Sequence, residues 1–207
     1  MISYSKSRDT HFLEKQSEAL IPTDWGTFNM MAYSYQSSER MPHITLVREG
    51  TDFSKPVLVR IHSECLTGDL FSSNRCECGE QLQTSMEKIG AEGGVLIYLR
   101  QEGRGIGIIN KLHAYQKQDQ GYDTIAANEV LGFESDARTY EVALKVLNDL
   151  EVKEIKLLTN NPLKVSAFDE SGIRVIERVP LLISPKKENL GYLRTKKNSM
   201  GHFLDVY

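Results

Sequence analysis

The chain has 207 residues, 40% of them apolar and 26% charged, with a formal net charge of −3. Those values exclude a disordered or fibrous protein and leave enough chain to bury a core without disulfide staples. The mild acidity excludes a global basic field that would gather nucleic acid or membrane, so an anionic ligand has to be held by local Lys and Arg.

Residues 1–20 open with MISYSKSRDT, which lacks the apolar stretch of a secretory signal, and no run in the chain reaches membrane-spanning length. The expectation is a cytoplasmic protein without nucleic-acid or membrane partners. Phe12 to Leu20 carries a helical apolar stripe, read as part of a loose or helical lead-in. From Trp25 the pattern becomes strand-like, in GTFNMMAYSY, HITLVRE and PVLVRIHS. Residues 79–90 read as a helix ended by Gly93-Gly94, and VLIYL follows as a buried strand. Helices are expected over 106–119 and 139–150, the latter from the stripe Tyr140, Ala143, Leu144 and Leu147. Strand EIKLLT, helix PLKVSAFDES with Gly172 as its cap, and strand IRVIERV form a strand–helix–strand unit. The tail after Pro180 looks irregular. The expected class is α+β, or mixed α/β: a single catalytic domain with a mixed sheet flanked by helices.

All three cysteines fall between positions 65 and 78, as C-x10-C-x-C. A secreted disulfide scaffold spreads an even number along the chain, so a cytosolic cluster points to metal or catalysis. Three thiolates suit zinc, which takes four protein ligands in structural sites and keeps one position for water in catalytic ones. The fourth ligand is then water, or His62 or His113. Three free buried cysteines are the bland alternative, which fits poorly with a polar loop carrying Arg75, Glu77 and Glu80. His62-Ser63-Glu64 also matches the first half of the zinc deaminase signature, but the second half, P-C-x-x-C, is missing.

After VLIYL comes RQEGRGIG, residues 100–107. Glycines between a strand and a helix let backbone N–H groups approach an anion, and Arg104 adds a bidentate donor. A plain glycine-rich turn is an even alternative, and Arg60, Arg75, Arg100 and Lys111 tilt the choice toward an anionic ligand. Asp136 reads as a helix cap with Arg138 as a solvated charge. Thr159-Asn-Asn-Pro162 reads as a capped turn, where Thr159 and Lys164 have a second reading as ligand contacts at a strand's carboxyl end.

Taken together, RIHSECLTGD (60–69), RCECG (75–79), RQEGRGIG, NKLHAYQKQDQGYDT (110–124), DARTY (136–140) and TNNPLKV (159–165) closely resemble GTP cyclohydrolase II. Weaker matches are IPTDWG, ERVPL, YLRTK and MGH, so the likeness covers nearly everything from residue 21 onward. The domain reading is an extension at 1–20 and a catalytic domain at 21–207. The resemblance implies hydrolysis of GTP to 2,5-diamino-6-ribosylamino-4(3H)-pyrimidinone 5′-phosphate with release of formate and pyrophosphate, the first step of riboflavin biosynthesis. It implies one Zn2+ per subunit, Mg2+ and a homodimer. By matching position, Cys65, Cys76 and Cys78 are the zinc ligands. The GTP contacts are Arg60, Ile61, His62, Ser63, Glu64, Gln81, Glu102, Gly103, Arg104, Thr124, Thr159 and Lys164. Asp136 is the proton acceptor, Arg138 the nucleophile, and Tyr115 is tied to hydrolysis at the zinc. Glu77 stands where the family usually has Asp. As a nucleophile Arg138 strains physical chemistry, because a guanidinium is essentially never deprotonated, and a phosphate clamp is the plainer role.

Overall fold

The computed structural model describes residues 12–134 and 136–204. In chain order its elements are β1 (Glu14–Thr23), β2 (Gly26–Ser34), β3 (His43–Arg48), β4 (Val57–Ser63), α1 (Leu66–Asp69), α2 (Cys78–Glu92), β5 (Val95–Leu99), α3 (Gly107–Asp119), α4 (Thr124–Val130), α5 (Glu141–Asp149), β6 (Glu154–Leu158), α6 (Pro162–Ser166), β7 (Arg174–Val179) and α7 (Leu190–Met200). The seven strands form one mixed sheet in the order β1-β2-β3-β5-β4-β6-β7. The pairs from β1 to β5 are antiparallel, while β5-β4, β4-β6 and β6-β7 are parallel. This is the mixed α/β architecture expected from the sequence.

The two-residue period of a strand assigns each side chain of β4 to one face. Val59 and Ile61 join one buried cluster with Ile97, Leu157 and the apolar stripe of α5, Ala143, Val146 and Leu147. Leu58 joins the other, with Leu96, Leu158 and Met86 and Ile89 of α2. Arg60 and His62 share the Leu58 face. The core therefore drives two polar residues of a fully buried strand toward α2. Because β5, β4 and β6 are parallel, their carboxyl ends open on the same edge, where open α/β sheets form ligand crevices.

Several expectations are corrected. Phe12 to Leu20 carries no helix: from Glu14 onward it is strand β1, paired antiparallel to β2. Its apolar residues do not meet a core that would select helical spacing, since most of the strand is exposed and Leu20 is 60% exposed. The division at residue 20 falls within this strand, and residues 1–11 lie outside the described ones. Helix α6 stops at Ser166, and the rest of PLKVSAFDES is a series of turns before Gly172, whose φ of 75° suits glycine. The tail after Pro180 holds the eleven-residue helix α7. Its only buried apolar residue is Leu193, so it has no periodic stripe to announce it. No helix among the described residues is long and apolar enough to cross a membrane.

Candidate active site and metal centre

Cys65 directly follows β4, and the single turn α1 reverses the chain so that Cys76 and Cys78 return beside it at the start of α2. The three Sγ atoms lie within 4.8 Å of one another. Cys65 Sγ and Cys76 Sγ are 3.6 Å apart, close to the ~3.8 Å separation of two sulfurs bound at ~2.3 Å to one tetrahedral zinc. The donor set and its spacing fit that ion. Neither histidine completes the cluster. His62 Nε2 lies 2.9 Å from Asp69 Oδ1 and its ring stacks on Tyr98, while His113 is exposed on α3 and faces Gln116.

The loop is packed to hold this shape. Asp69 Oδ2 accepts from the Cys65 backbone N–H at 3.0 Å and from the Tyr98 hydroxyl at 2.8 Å. A Cβ on Gly68 would lie 2.8 Å from Cys76 Sγ and 3.2 Å from Cys65 Sγ, so only glycine leaves room for the sulfurs. Lys111 Nζ, on α3, donates to Cys65 Sγ at 3.1 Å and to Glu102 Oε1 at 2.8 Å. Burial draws its pKa down, but Cys65 and Glu102 outweigh that and hold the ammonium charged. The other Glu102 oxygen accepts from the Leu66 N–H at 2.5 Å.

Glu102 opens the turn after β5, which extends to Gly105 and places Gly103 and Arg104 in the left-handed region, with φ of 61° and 62°. A non-glycine residue there is uncommon. The Arg104 carbonyl is held by the Ala137 N–H at 3.2 Å, which joins this turn to the segment carrying Asp136 and Arg138. Arg138 donates to Asp136 through Nε at 2.8 Å and Nη2 at 2.5 Å. Both side chains are largely buried, so Arg138 is not a solvated charge. Nor does Asp136 cap α5, whose N-cap is Tyr140. Burial raises the Asp136 carboxyl, but its bonds to Arg138 prevail and keep it ionised.

Two adjoining cavities open along this edge of the sheet. One is lined by the three cysteines together with Ser63, Glu64, Glu102, Gly103, Arg104, Tyr115, Thr124 and Arg138. The other is lined by Arg60, His62, Ser63, Cys78, Gln81, Arg138, Thr159 and Lys164. Ser63, Cys78, Arg138 and Tyr192 line both. The sequence-predicted site residues thus converge, apart from two. The Ile61 side chain lies in the α5 core and its carbonyl accepts from Lys164 Nζ at 2.7 Å. Asp136 reaches the cavities only through Arg138. Glu64 Oε1 is paired with Arg100 at 2.8 Å. Tyr115, with Arg75 over its ring, has its phenol pushed up by burial and stays protonated.

In the second cavity Arg60 donates to the Leu158 carbonyl and to Gln81, and burial pulls its pKa down to about 10. Asn161 caps α6 through Leu163 N–H with Pro162 in its first turn, as expected. Residues that sequence reading passed over are Gly68, Asp69 and the α7 side chains Tyr192 and Lys196, which also line this cavity. C-x10-C-x-C flags the sulfurs, whereas on α7 the only sequence signal is the weak YLRTK match, which assigns neither residue a role.

A family model described as GTP cyclohydrolase II matches residues 14–180. The chain belongs to the GTP cyclohydrolase II family. It is 47% identical over 207 residues to the riboflavin biosynthesis protein RibBA of Bacillus cereus (strain ATCC 14579), covering 100% of this chain and 52% of that protein. It is 50% identical over 197 residues to RibBA of Bacillus subtilis (strain 168), covering 94% and 49%. The chain therefore spans about half the length of the curated relatives it matches. Among solved structures, RibBX of A. baumannii, a two-domain 3,4-dihydroxy-2-butanone 4-phosphate synthase, aligns at 21% identity and a TM-score of 0.48, over 84% of this chain and 42% of that one.

Proposed function

We propose that this chain hydrolyses GTP to 2,5-diamino-6-ribosylamino-4(3H)-pyrimidinone 5′-phosphate, releasing formate and pyrophosphate, as the first step of riboflavin biosynthesis. The observation that carries it is the continuity of the two cavities through Arg138: a cluster of three cysteines able to hold a metal ion at one end and buried basic side chains at the other. A nucleoside triphosphate is a ligand with chemistry to perform at both ends.

Cys65, Cys76 and Cys78 would hold zinc, which in a site with an open position activates water for attack at the C8 carbon of guanine and again at the formyl carbon. Tyr115, a protonated phenol beside the cluster, donates a hydrogen bond or proton to the opening ring. Glu64, beside Cys65 and held by Arg100, accepts one. At the other end Arg138 and Lys164 grip the phosphates, with Arg104 reaching them from the first cavity; the phosphates bring magnesium with them. Asp136 holds Arg138 two-pronged and protonated, which favours Arg138 as a clamp on the α-phosphate, with water attacking, over Arg138 as a nucleophile. The reading extends to a cytoplasmic homodimer with the catalytic unit at 21–207.

Incubation with GTP, Mg2+ and zinc tests it. Formate and pyrophosphate should appear together. Pyrophosphate without formate would leave a ring-opening enzyme that keeps the formyl group, and neither product would remove the proposal.

A further inference from the structure

Four cations line the second cavity, Arg60, Arg138, Lys164 and Lys196, against the single carboxylate of Glu77. Arg60 comes from β4, Arg138 from the segment before α5, and Lys164 from α6. The fourth, Lys196, comes from α7, which also places Tyr192 at the boundary of both cavities. Lys196 is largely buried, and its Nζ lies 2.6 Å from Glu77 Oε1, 119 residues away in sequence. Its ammonium lies 4.5 Å from the centre of the Tyr192 ring, whose other neighbour is the Arg104 guanidinium at 5.7 Å. An ion pair this enclosed is a weak source of stability, since desolvation offsets most of the attraction. A buried lysine lining a cationic cavity has a clearer use as a ligand for anions.

We propose that Lys196 of α7 is a further substrate-binding residue, one that contacts the phosphate chain of the nucleotide and is held ready for it by Glu77. The inference rests on the GTP reading above and adds a recognition element from α7, whose YLRTK run (192–196) is one of the weaker family matches. Glu77 and the phosphates compete for one ammonium. The carboxylate positions Lys196 in the empty cleft, and the more highly charged phosphate chain draws it away or shares it. The Tyr192 ring, close to both Lys196 and Arg104, ties the helix cation to the glycine-rich turn. On this account α7 closes the phosphate end of the site, and the charge it brings separates triphosphate from nucleoside.

The test compares binding of GTP and of guanosine, by calorimetry on the full chain loaded with zinc, with initial rates in parallel. Lys196→Met should weaken GTP binding on the order of 10- to 100-fold, the loss of one charged hydrogen bond, while guanosine binds as to the wild type. Lys196→Arg should restore most of the loss. Glu77→Gln, which frees the ammonium, should tighten GTP binding. Lys187→Met, an exposed charge on the same segment, serves as the control with unchanged affinity. If Lys196→Met and Glu77→Gln both weaken GTP, or if Lys196→Met weakens guanosine equally, Lys196 is only a latch and the proposal is overturned. Unchanged GTP affinity in Lys196→Met overturns it as well. A wild-type chain that neither binds nor turns over GTP overturns the GTP reading itself, which is a separate outcome.

Discussion

The ammonium of Lys111 stands 3.1 Å from the sulfur of Cys65. Three thiolates around a divalent cation leave one excess negative charge, and Lys111 is the buried charge that offsets it. Partners of this kind commonly account for 10- to 100-fold in metal affinity. Lys111→Met should therefore weaken zinc retention by about that factor, read as the chelator concentration that removes half the metal. Retention equal to the wild type would show that the cluster needs no such compensation.

Gly68 is packed directly against the ligand sulfurs. An added methyl would sit 2.8 Å from one ligand sulfur and 3.0 Å from the Cβ of Cys78. Gly68→Ala should lower zinc affinity at least about tenfold while the sheet remains folded by circular dichroism, since the crowding falls on the cysteine loop.

Removing the metal should separate the two halves of the reaction. Cys76→Ser, or exhaustive chelation of the wild type, should abolish formate release. Pyrophosphate release should persist at a reduced rate, because the Asp136–Arg138 pair is built from another segment. Simultaneous loss of both products would mean that the two ends of the site do not act independently.

Asp136 and Arg138 offer a sharper measurement. A guanidinium gripped by two oxygens keeps its proton, so the clamp reading expects no covalent nucleotide on the protein. Mass spectrometry of a rapidly quenched reaction should find none. Arg138→Lys, which keeps the charge and loses the two-pronged geometry, should slow pyrophosphate release on the order of tenfold to a thousandfold. A guanylyl adduct on Arg138 would reverse this assignment.

Lys164 is the group whose protonation should follow the ligand. Burial holds its pKa well below the ordinary lysine range; Arg60, Arg138 and Lys196 push the same way, and Cys78 opposes them. A phosphate chain favours the charged form and raises the pKa again. Binding therefore takes up a proton between the depressed and the restored pKa, and GTP affinity should fall as pH rises through that window. Calorimetry in two buffers of different ionisation heat should detect the uptake. His202, lowered to about 4 by burial and by Lys196 and Arg138, can contribute too. The decisive quantity is the difference between wild type and Lys164→Met.

Much of this molecule is written locally. The strands β2 to β6 alternate or run continuously apolar because each is packed against a core, and α5 shows its stripe for the same reason. The cysteine spacing and the RQEGRGIG turn are readable because their chemistry demands particular residues at short range. β1 and α7 escape a sequence reading because little of either is buried, so neither shows a periodic pattern. Read locally, Glu77 is only an acid between two cysteines where the family usually has Asp. Its meaning depends on Lys196, and no short-range pattern links positions separated by 119 residues.

That separation has a kinetic side. Closing so long a loop is entropically slow, so the Glu77–Lys196 contact should be among the later ones to form during folding. It should also be among the earlier ones to open, because α7 is fastened by few apolar contacts and Leu193 is its one buried apolar residue. Amide hydrogens of α7 should then exchange through partial openings, well before those of β4 and β5. Such openings would leave the cysteine cluster and the sheet intact, and would give a bulky anion a way in and its fragments a way out.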